Sequence, residues 1–402
     1  MELQQCKNFV AGSFFPHKTA LLRLGNSEGE ITETIQVPAM TGVLSLTLGC
    51  ILVVTSPVLA QEYKVDCQAG TPIPFQENGR FGYLIPSGVV ILAQFDLALN
   101  FVGGVAIACV AGSGCGPIGT SGRFLAPLQD RHGLIPMRYS DGIGAVSSVI
   151  GPSPLDQLHG YVDLERKVLI PLEYEWAGDF NQGIAVVHQP HKAFFIDHTG
   201  KKVTPEFEDA YWFSEGLAPV KIEGKWGYIH RDGSMAIAPQ FEGVRGFSEG
   251  LAAVVIGGKF GYIDASGKVV VEPIYTDAFE FSEGLAVVLL NWKWGYIGRT
   301  GKQIVPIQYR LAGTFREGLA PVQLDNKKWG YIDKSGHFEI QPIFDYATSF
   351  CAELASVAMF RVIGPSERVF DRGDRVQGRH GIINRSGKYV WRDSEDQIWD
   401  WP

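Results

Sequence analysis

Short apolar stretches alternate with glycine-containing turns along most of the chain. In one example, Leu251–Ile256 is almost entirely apolar and ends at a pair of glycines. Lys259–Ile263 then places aromatic residues at alternate positions, and Lys268–Val271 follows after the tight turn Asp264–Gly267. An alternation of period two, bounded by glycine, serine and aspartate, is typical of antiparallel strands joined by hairpin turns. The pattern therefore predicts about three short strands in this stretch.

The same pattern returns at a fixed interval. The phenylalanine before each S-E-G or R-E-G step recurs every 34 residues, at Phe213, Phe247, Phe281 and Phe315. An aromatic-glycine step keeps nearly the same spacing, at Trp226-Gly227, Phe260-Gly261, Trp294-Gly295 and Trp329-Gly330. Nine halves similar to G-Y-I and eight similar to E-G-L-A can be traced between Phe81 and Lys388. Such self-similarity indicates a repeat protein whose small units bury their faces against one another.

These units predict an all-β fold of about eight and a half tandem repeats of about 34 residues, each with about three short antiparallel strands. An open β-solenoid or superhelix is the preferred arrangement, because three strands are one fewer than a usual propeller blade contains. A closed, propeller-like ring is the alternative. The chain divides into a leader and signal or anchor segment (1–60), a linker (61–80), the repeat domain (81–390) and a C-terminal tail (391–402).

The glycines of the repeat have structural roles. Gly250 and its equivalents lie where the chain reverses and a residue without Cβ is favoured. Gly261 and its equivalents are predicted to lie opposite large aromatic side chains, where close backbone approach would leave no room for a Cβ.

Three lysine-tryptophan-glycine steps carry a family resemblance. They are K-W-G-Y-I at Lys225–Ile229, Lys293–Ile297 and Lys328–Ile332, and the D-x-S-G-K and P-x-[YF] steps that follow match as well. The chain resembles the WG-repeat family, strongly from Phe180 to Gln341 and more weakly from Phe81 to Lys388. The resemblance implies a β-rich repeat protein, usually bacterial, and brings no catalytic residues to carry over.

Acidic residues recur once per unit. Paired carboxylates hydrolyse glycosides, but such a pair normally occupies one cleft and does not repeat along a chain. We therefore expect the repeated glutamates to accept backbone hydrogen bonds at turns or to face solvent; they are Glu215, Glu249, Glu283 and Glu317. A second series, Asp197, Asp264, Asp333 and the substitute Asn384, fits a turn in which the side chain bonds its own backbone better than calcium ligation.

Aromatic residues form two ladders through the repeats. One contains Trp226, Phe260, Trp294 and Trp329, and the other contains Tyr228, Tyr262, Tyr296 and Tyr331. A buried ladder would be the core stripe of the stacked units, and an exposed ladder would be a platform for sugar rings or a peptide. The core interpretation is preferred, because aromatic side chains bury large areas and each small unit needs large side chains to fill its core.

One strongly apolar segment, Thr41–Ala60, precedes the repeats. Its small C-terminal residue resembles a signal-peptidase site, which predicts export and a mature chain that begins at Gln61. A retained membrane anchor at 41–60 is the alternative, and a cytosolic location is less favoured. In an exported chain Cys109 and Cys115, which fall on the two strands of one hairpin, can form a disulfide; two buried thiols fit equally well.

Charge and composition narrow the choice of partner. The net charge is −8, without long runs of one sign, which argues against nucleic acid. The most basic stretch is an insertion with Arg361, Arg368, Arg372, Arg375 and Arg379, and we hypothesise that it contacts an acidic partner. His188, His191 and His198 cluster in sequence, but their spacing does not match a zinc motif. We expect no metal and no cofactor.

The sequence therefore favours an exported, non-catalytic repeat protein that binds a protein, peptide or glycan. The alternative is a cell-envelope hydrolase, or another enzyme, built on the same repeats. A deep cleft with converging carboxylates or histidines would favour the enzyme, and a shallow face with repeated chemistry would favour the binding protein.

Overall fold

The computed structural model describes residues 20–25, 31–37, 67–128, 134, 136, 138–149, 157–365, 374–394 and 396–401. Every helix or strand assigned within these residues is a β-strand. The first two, β1 (Ala20–Gly25) and β2 (Ile31–Val37), form an antiparallel hairpin of their own within the segment predicted to be a leader. The predicted signal or anchor segment, Thr41–Ala60, lies outside the described residues.

Nine further sheets follow one another among the described residues, and we number them blade 1 to blade 9 in chain order. The first four show three strands each in the described part of the chain. Blade 1 contains β3 (Ile73–Glu77), β4 (Arg80–Ile85) and β5 (Gly88–Phe95); blade 2 contains β6 (Leu97–Ala98), β7 (Val105–Val110) and β8 (Gly114–Gly119). Blade 3 contains β9 (Gly144–Val149), β10 (Gln157–Val162) and β11 (Val168–Tyr174); blade 4 contains β12 (Trp176–Ala177), β13 (Ile184–Gln189) and β14 (Lys192–Asp197).

The next four blades are regular four-stranded antiparallel sheets. Blade 5 contains β15 (Asp209–Ala210), β16 (Leu217–Ile222), β17 (Lys225–His230) and β18 (Met235–Phe241); blade 6 contains β19 (Gly243–Ser248), β20 (Leu251–Ile256), β21 (Lys259–Asp264) and β22 (Val269–Tyr275). Blade 7 contains β23 (Asp277–Ala278), β24 (Leu285–Leu290), β25 (Lys293–Gly298) and β26 (Gln303–Tyr309); blade 8 contains β27 (Leu311–Ala312), β28 (Ala320–Gln323), β29 (Trp329–Ile332) and β30 (Phe338–Phe344). Blade 9 contains β31 (Tyr346–Ala347), β32 (Leu354–Pro365), β33 (Asp374–Asn384), β34 (Tyr389–Arg392) and β35 (Gln397–Trp401).

The nine blades close into a ring, a β-propeller. Blade 9 packs directly against blade 1, where Phe75 and Leu84 share one apolar core with Leu354 and Ile382. The rings of Phe75 and Trp391 lie 5.4 Å apart across this junction. The preference for an open solenoid is therefore wrong, and the closed ring is the architecture.

A fourth strand explains the error. In blade 7 it is β23, only two residues long, within a stretch that looks like a connection between repeats. Two residues cannot show an alternating pattern, so the sequence predicts three strands where the blade has four. With this strand the unit reaches the number that a propeller blade usually contains.

Each core lies between two blades. Ala253 and Tyr262 of blade 6, for example, pack with Val288 and Ile297 of blade 7 in one buried cluster. The second and third strands are buried on both faces, because each face meets a neighbouring blade. This arrangement removes the apolar faces of every unit from water, which a single unit cannot do alone.

The glycine of the aromatic-glycine step permits a close approach of two strands. A Cβ at Gly261 would lie 2.5 Å from the carbonyl oxygen of Val271, at a shift in the register between β21 and β22. The predicted close backbone approach is confirmed: the nearest neighbour at Gly261 is the backbone of the adjacent strand, and at the equivalent Gly82 the ring of Phe75 is also close. Any larger residue there would push the two strands apart.

Two disulfides constrain the ring. Cys109 and Cys115 lie directly opposite each other on β7 and β8 and are bonded. Cys67 and Cys351, separated by 284 residues, join the segment before blade 1 to blade 9. The sequence did not predict the second bond. Because it spans the junction at which the ring closes, it ties the two ends of the repeat domain together.

Candidate functional site

The two ends of the ring carry different turns. In blade 6, the turn at Glu249-Gly250 precedes β20 and the turn at Asp264–Gly267 follows β21. Because β20 and β21 are antiparallel, both turns lie at the same end of the ring, which we call the Glu face. The hairpin turn between β20 and β21 lies at the opposite end, which we call the tip face.

Serine side chains join neighbouring blades on the Glu face. Each hydroxyl donates to the carbonyl oxygen of the phenylalanine one repeat further on, at 2.6–2.7 Å. The pairs are Ser140 with Phe180, Ser214 with Phe247, Ser248 with Phe281, and Ser282 with Phe315. Equivalent positions of neighbouring blades are closest near the axis of a ring, so these turns lie on its inner edge. Cys351 takes the serine position in blade 9, and its side chain is bonded to Cys67.

The repeated glutamates hold the same turns together. Glu215 accepts hydrogen bonds from the backbone N–H groups of Glu249 and Gly250, at 2.7 and 2.8 Å. Glu249, Glu283 and Glu317 each accept one or more from the turn of the next blade, at 2.9–3.0 Å. All four glutamates have left-handed backbone angles, with φ between 51° and 55°. Their carboxylates are thus spread around the Glu face as clamps between blades and do not converge in a cleft.

The repeated aspartates stabilise the other turn of the Glu face. The carboxylate of Asp264 accepts hydrogen bonds from the hydroxyl and the N–H of Ser266 and from the N–H of Lys268, at 2.6–3.1 Å. The Ser266 hydroxyl is the main reason that the pKa of Asp264 lies below its usual value. The contacts from the residue two positions on recur at Asp197, Asp232, Asp333 and Asn384. An amide can replace the carboxylate at Asn384, which fits a turn role.

The aromatic ladders lie in the core. The tyrosines at positions 228, 262, 296 and 331 are fully buried, and Trp226 is 5% exposed. The remaining ladder residues, Phe260, Trp294 and Trp329, are half-buried. Each tyrosine hydroxyl donates to a carbonyl oxygen 17 residues further on, for example from Tyr262 to Phe279 at 2.7 Å. Burial raises the pKa of these tyrosines, which stay neutral.

The histidines do not converge. His188 is buried beside Asp209, with its Nδ1 3.7 Å from the carboxylate, in the interface between blades 4 and 5. Burial raises the pKa of Asp209 to about 6. His191 lies in the hairpin turn of blade 4, and His198 lies on the Glu face, 3.7 Å from Asp141. Within the described part of the chain, no group of three or more histidine, cysteine, aspartate or glutamate side chains is placed to hold a metal ion.

The tip face is less regular than the Glu face. The turns of blades 5 and 6 are capped from within their own blade: Glu208 accepts from the N–H of Gly224, and Glu242 accepts from those of Gly257 and Gly258. In blade 7 the corresponding turn is Asn291-Trp292, and the Trp292 side chain is 81% exposed. In blade 9 the hairpin is lengthened. The departures from the repeat in blades 7 and 9 therefore lie on the same face.

The described parts of the arginine-rich insertion belong to two long paired strands. Strands β32 and β33 stay paired beyond the usual length, as far as Pro365 and Asp374, and β35 pairs with β33 from Asp374 to Gly378. We call residues 359–365, 374–379 and 397–401 the ribbon. The ribbon extends blade 9 beyond the hairpin turns of the regular blades.

The five arginines are not equivalent in this ribbon. Arg361 is exposed and donates to the side-chain oxygen of Gln377 at 2.9 Å, and Arg379 forms an ion pair with Asp396 at 2.8 Å. Arg375 lies on β33, and Arg368 and Arg372 lie outside the described residues. The charge of Arg379 is thus partly neutralised within the chain.

The ribbon also carries apolar side chains that the sequence analysis did not single out. Val362, Ile363 and Ile398 are 58%, 43% and 52% exposed, and Met359 at the base is 37% exposed. The signal for Val362 and Ile363 was an apolar run, interrupted by Arg361, that continues past the usual end of the second strand. The signal for Trp292 was an N-W step at a position where other units have E-G or G-G.

The described residues contain no helix that is long and apolar enough to cross a membrane.

Comparison with known proteins identifies the repeat. The model of the WG containing repeat matches six times, at residues 160–189, 194–226, 226–260, 260–294, 294–327 and 329–357. No match to a curated protein was found.

Distant similarity to solved structures was also found. One is the computationally designed Ika8 protein, with 9% sequence identity, coverage of 83% of this chain and 100% of that chain, and a TM-score of 0.40. Another is BamB from Moraxella catarrhalis, with 10% identity, coverage of 83% of this chain and 97% of that chain, and a TM-score of 0.39. AztD from Citrobacter koseri is a third (11%, 81% and 94%, 0.35).

Proposed function

Since the chain belongs to the family of WG containing repeats, we propose that it is an exported, non-catalytic protein that binds a protein, peptide or glycan partner on the tip face of blades 7 to 9. The repeat itself supplies a rigid scaffold, and the binding groups are the residues that depart from the repeat.

One observation carries the proposal. The polar groups that recur in every regular blade are already engaged in contacts within the ring. Ser248 and Glu249 bond the turn of the next blade, Asp264 bonds its own turn, and the Tyr262 hydroxyl bonds a buried carbonyl. Groups that satisfy one another in this way stabilise the scaffold and offer little to a partner.

The exposed groups without such a role lie elsewhere. Val362, Ile363 and Ile398 project from the ribbon, and Trp292 projects from the turn two blades away. Apolar side chains exposed next to polar ones are typical of surfaces that bind other molecules. The hypothesis that arginines contact an acidic partner is kept for Arg361, which is exposed and donates to the side-chain oxygen of Gln377.

Export is supported by two disulfides, which persist in oxidising compartments. Terminal sequencing of the protein from the cell envelope tests it, with Gln61 as the expected first residue. An intact chain in the cytosol would contradict export.

The binding face can be tested by site-specific photo-crosslinking in cells that express the full chain. A photoreactive amino acid at Val362 reports on the tip face, and the same amino acid at Ala265, an exposed turn residue, reports on the Glu face. We expect crosslinked species from Val362 and none from Ala265. Crosslinks from Ala265 alone, from both positions equally, or from neither would overturn the proposal.

A further inference from the structure

The turn of blade 7 has an unusual residue in an unusual conformation. Asn291 and Trp292 form the two-residue turn between β24 and β25, with φ of 52° and 62°. The second position of this turn is glycine in blades 1, 5 and 6, at Gly79, Gly224 and Gly258. In blade 4 it is His191. Left-handed φ is disfavoured for side chains with a Cβ, and a bulky residue in this region is a genuine outlier.

Burial does not compensate for this strained conformation. The Trp292 side chain is 81% exposed, the largest value among the large apolar residues that the structure describes, and Leu92 follows at 76%. It makes no hydrogen bond and no ring contact with the described residues. A glycine would relieve the backbone and remove an indole from water. An outlier that lowers stability points to a role outside folding.

The surroundings of the indole indicate which ligand it would take. The next group along the chain, Lys293, forms an ion pair with Asp325 in the turn of blade 8, and the Asp325 side chain is 78% exposed. Asn291, in the same turn, is also exposed. On the other side, the turn of blade 6 consists of two glycines, Gly257 and Gly258, and offers no side chain to cover the ring. The exposed indole thus shares its turn with the amide of Asn291 and is next in the chain to Lys293, whose ammonium pairs with the carboxylate of Asp325 in the turn of the next blade.

This combination matches a sugar better than a protein surface. A tryptophan anchor in a protein interface usually lies in a well-packed, desolvated and more apolar core, whereas the turns beside Trp292 are polar or glycine. A pyranose ring presents a face of C–H groups that can cover an indole, and hydroxyls at its edge that can donate to a carboxylate or amide oxygen and accept from an ammonium. We propose that Trp292 is the stacking platform of a carbohydrate-binding site, completed by Asn291, Lys293 and Asp325. The proposal rests on the proposed function and names its ligand class.

Affinity electrophoresis of the full chain tests the site. Native gels contain one soluble polysaccharide each, for example hydroxyethyl cellulose, glycol chitosan, xylan or laminarin, and insoluble chitin, cellulose and peptidoglycan are used for pull-down. We expect wild type to be retarded or captured by at least one of these. Trp292→Gly should raise the dissociation constant by about tenfold or more, and Trp292→Tyr should retain part of the affinity because it keeps a flat ring.

A matched control distinguishes a specific binding site from non-specific binding by an exposed tryptophan. Gly258→Trp in the Trp292→Gly background places an indole at the equivalent turn position of blade 6, away from Asn291 and Asp325. We expect no recovery of retardation. Recovery would overturn the site, as would equal retardation of wild type and Trp292→Gly.

Failure of this proposal can be told apart from failure of the proposed function. If no polysaccharide in the panel binds wild type, the carbohydrate site is overturned, and the crosslinks from Val362 still decide whether the tip face binds a partner. Selection of displayed peptides by wild type but not by Trp292→Gly would also overturn the carbohydrate site, in favour of a peptide.

Discussion

The two faces of the ring use similar residues in opposite ways. On the Glu face, Glu215 has a φ of 51° and its carboxylate bonds the turn of the next blade. On the tip face, Glu223 has a φ of 49° and its exposed side chain makes no such bond with the described residues. The first face is held together by repeated contacts between neighbouring turns, whereas the second is an array of hairpins, two of which are joined by an exposed ion pair between Lys293 and Asp325. The difference indicates that changes on the Glu face affect the stability of the ring, whereas the tip face can vary and can carry binding.

The largest effect is expected from the disulfide that closes the ring on the Glu face. Cys351→Ser should lower the free energy of unfolding by about 5 kcal/mol, because the Cys67–Cys351 bond closes a loop with a sequence separation of 284 residues. Cys115→Ser is the matched control. Its bond spans a separation of only 6 residues, so the expected loss is about 2 kcal/mol. Denaturation by guanidinium chloride measures both, and a smaller loss for Cys351→Ser than for Cys115→Ser would contradict the view that this junction limits stability.

Two aspartates, one towards each face, should respond to pH in opposite directions. Burial raises the pKa of Asp209, beside His188 and near Lys221, to about 6 from an ordinary value of 3.8. The folded state therefore binds a proton more tightly than the unfolded state, and the free energy of unfolding falls as pH rises from about 4 to 6. Asp209→Asn lacks this ionisation. Relative to that variant, the free energy of unfolding of wild type should fall by about 2–3 kcal/mol as the pH rises from about 4 to 6. Urea denaturation at several pH values measures this change.

Asp264 on the Glu face is the control for this pH dependence. Its pKa is lowered, mainly by the Ser266 hydroxyl, so its ionised form stabilises the folded state and this contribution is lost as pH falls through the folded pKa. Relative to Asp264→Asn, wild type should become less stable on acidification. If the stability of wild type relative to Asp209→Asn and relative to Asp264→Asn changed with pH in the same direction, burial would not be what distinguishes the two aspartates.

A smaller difference in stability is expected between variants at Glu215 and Glu223, two glutamates with left-handed backbone angles. Glu215→Ala removes two hydrogen bonds to the next blade and should cost about 1–2 kcal/mol, since the acceptor is charged but exposed. Glu223→Ala has nearly the same backbone angle and should change the free energy of unfolding by less than about 0.5 kcal/mol. Equal losses in urea denaturation would show that the clamps between blades contribute nothing.

The smallest effect has the opposite sign. Trp292→Gly should stabilise the protein by about 0.5–1 kcal/mol, because glycine adopts the left-handed φ of 62° without strain. The change appears as a higher Tm, on the order of 1–3 °C for a domain of this size. Trp292→Ala, which removes the indole but keeps a Cβ, should give no such gain. A loss of stability in Trp292→Gly would mean that the indole packs against the ring.

Much of the fold could be predicted from local sequence. The period of 34 residues and the apolar run Leu251–Ile256 predicted the second strand of the unit, and Asp264–Gly267 predicted its Glu-face turn. These features depend on residues close together in the chain, so their pattern is visible without the fold. The fourth strand, Asp277–Ala278, was missed because two residues carry no periodicity.

The candidate site was less predictable. Arg361–Arg379 was recognised as a departure from the repeat, but its pairing into a ribbon with Gln397–Trp401 involves residues about 20 positions apart and followed no repeated pattern. Trp292 could not be distinguished from the other tryptophans, because residue type does not determine whether a side chain is exposed. The Cys67–Cys351 bond was missed because cysteine spacing does not define connectivity.

The sequence by itself determined the unit: strands, turns, an aromatic core and contacts repeated every 34 residues. Only the tertiary structure decided that the units form a ring of nine blades. Closure depends on the small rotation between neighbouring blades, which accumulates around the array and is set by packing across each interface. A local pattern specifies each interface as favourable but does not specify that rotation. Whether blade 9 meets blade 1, and which side chains are then left on the tip face, is therefore a property of the assembled ring.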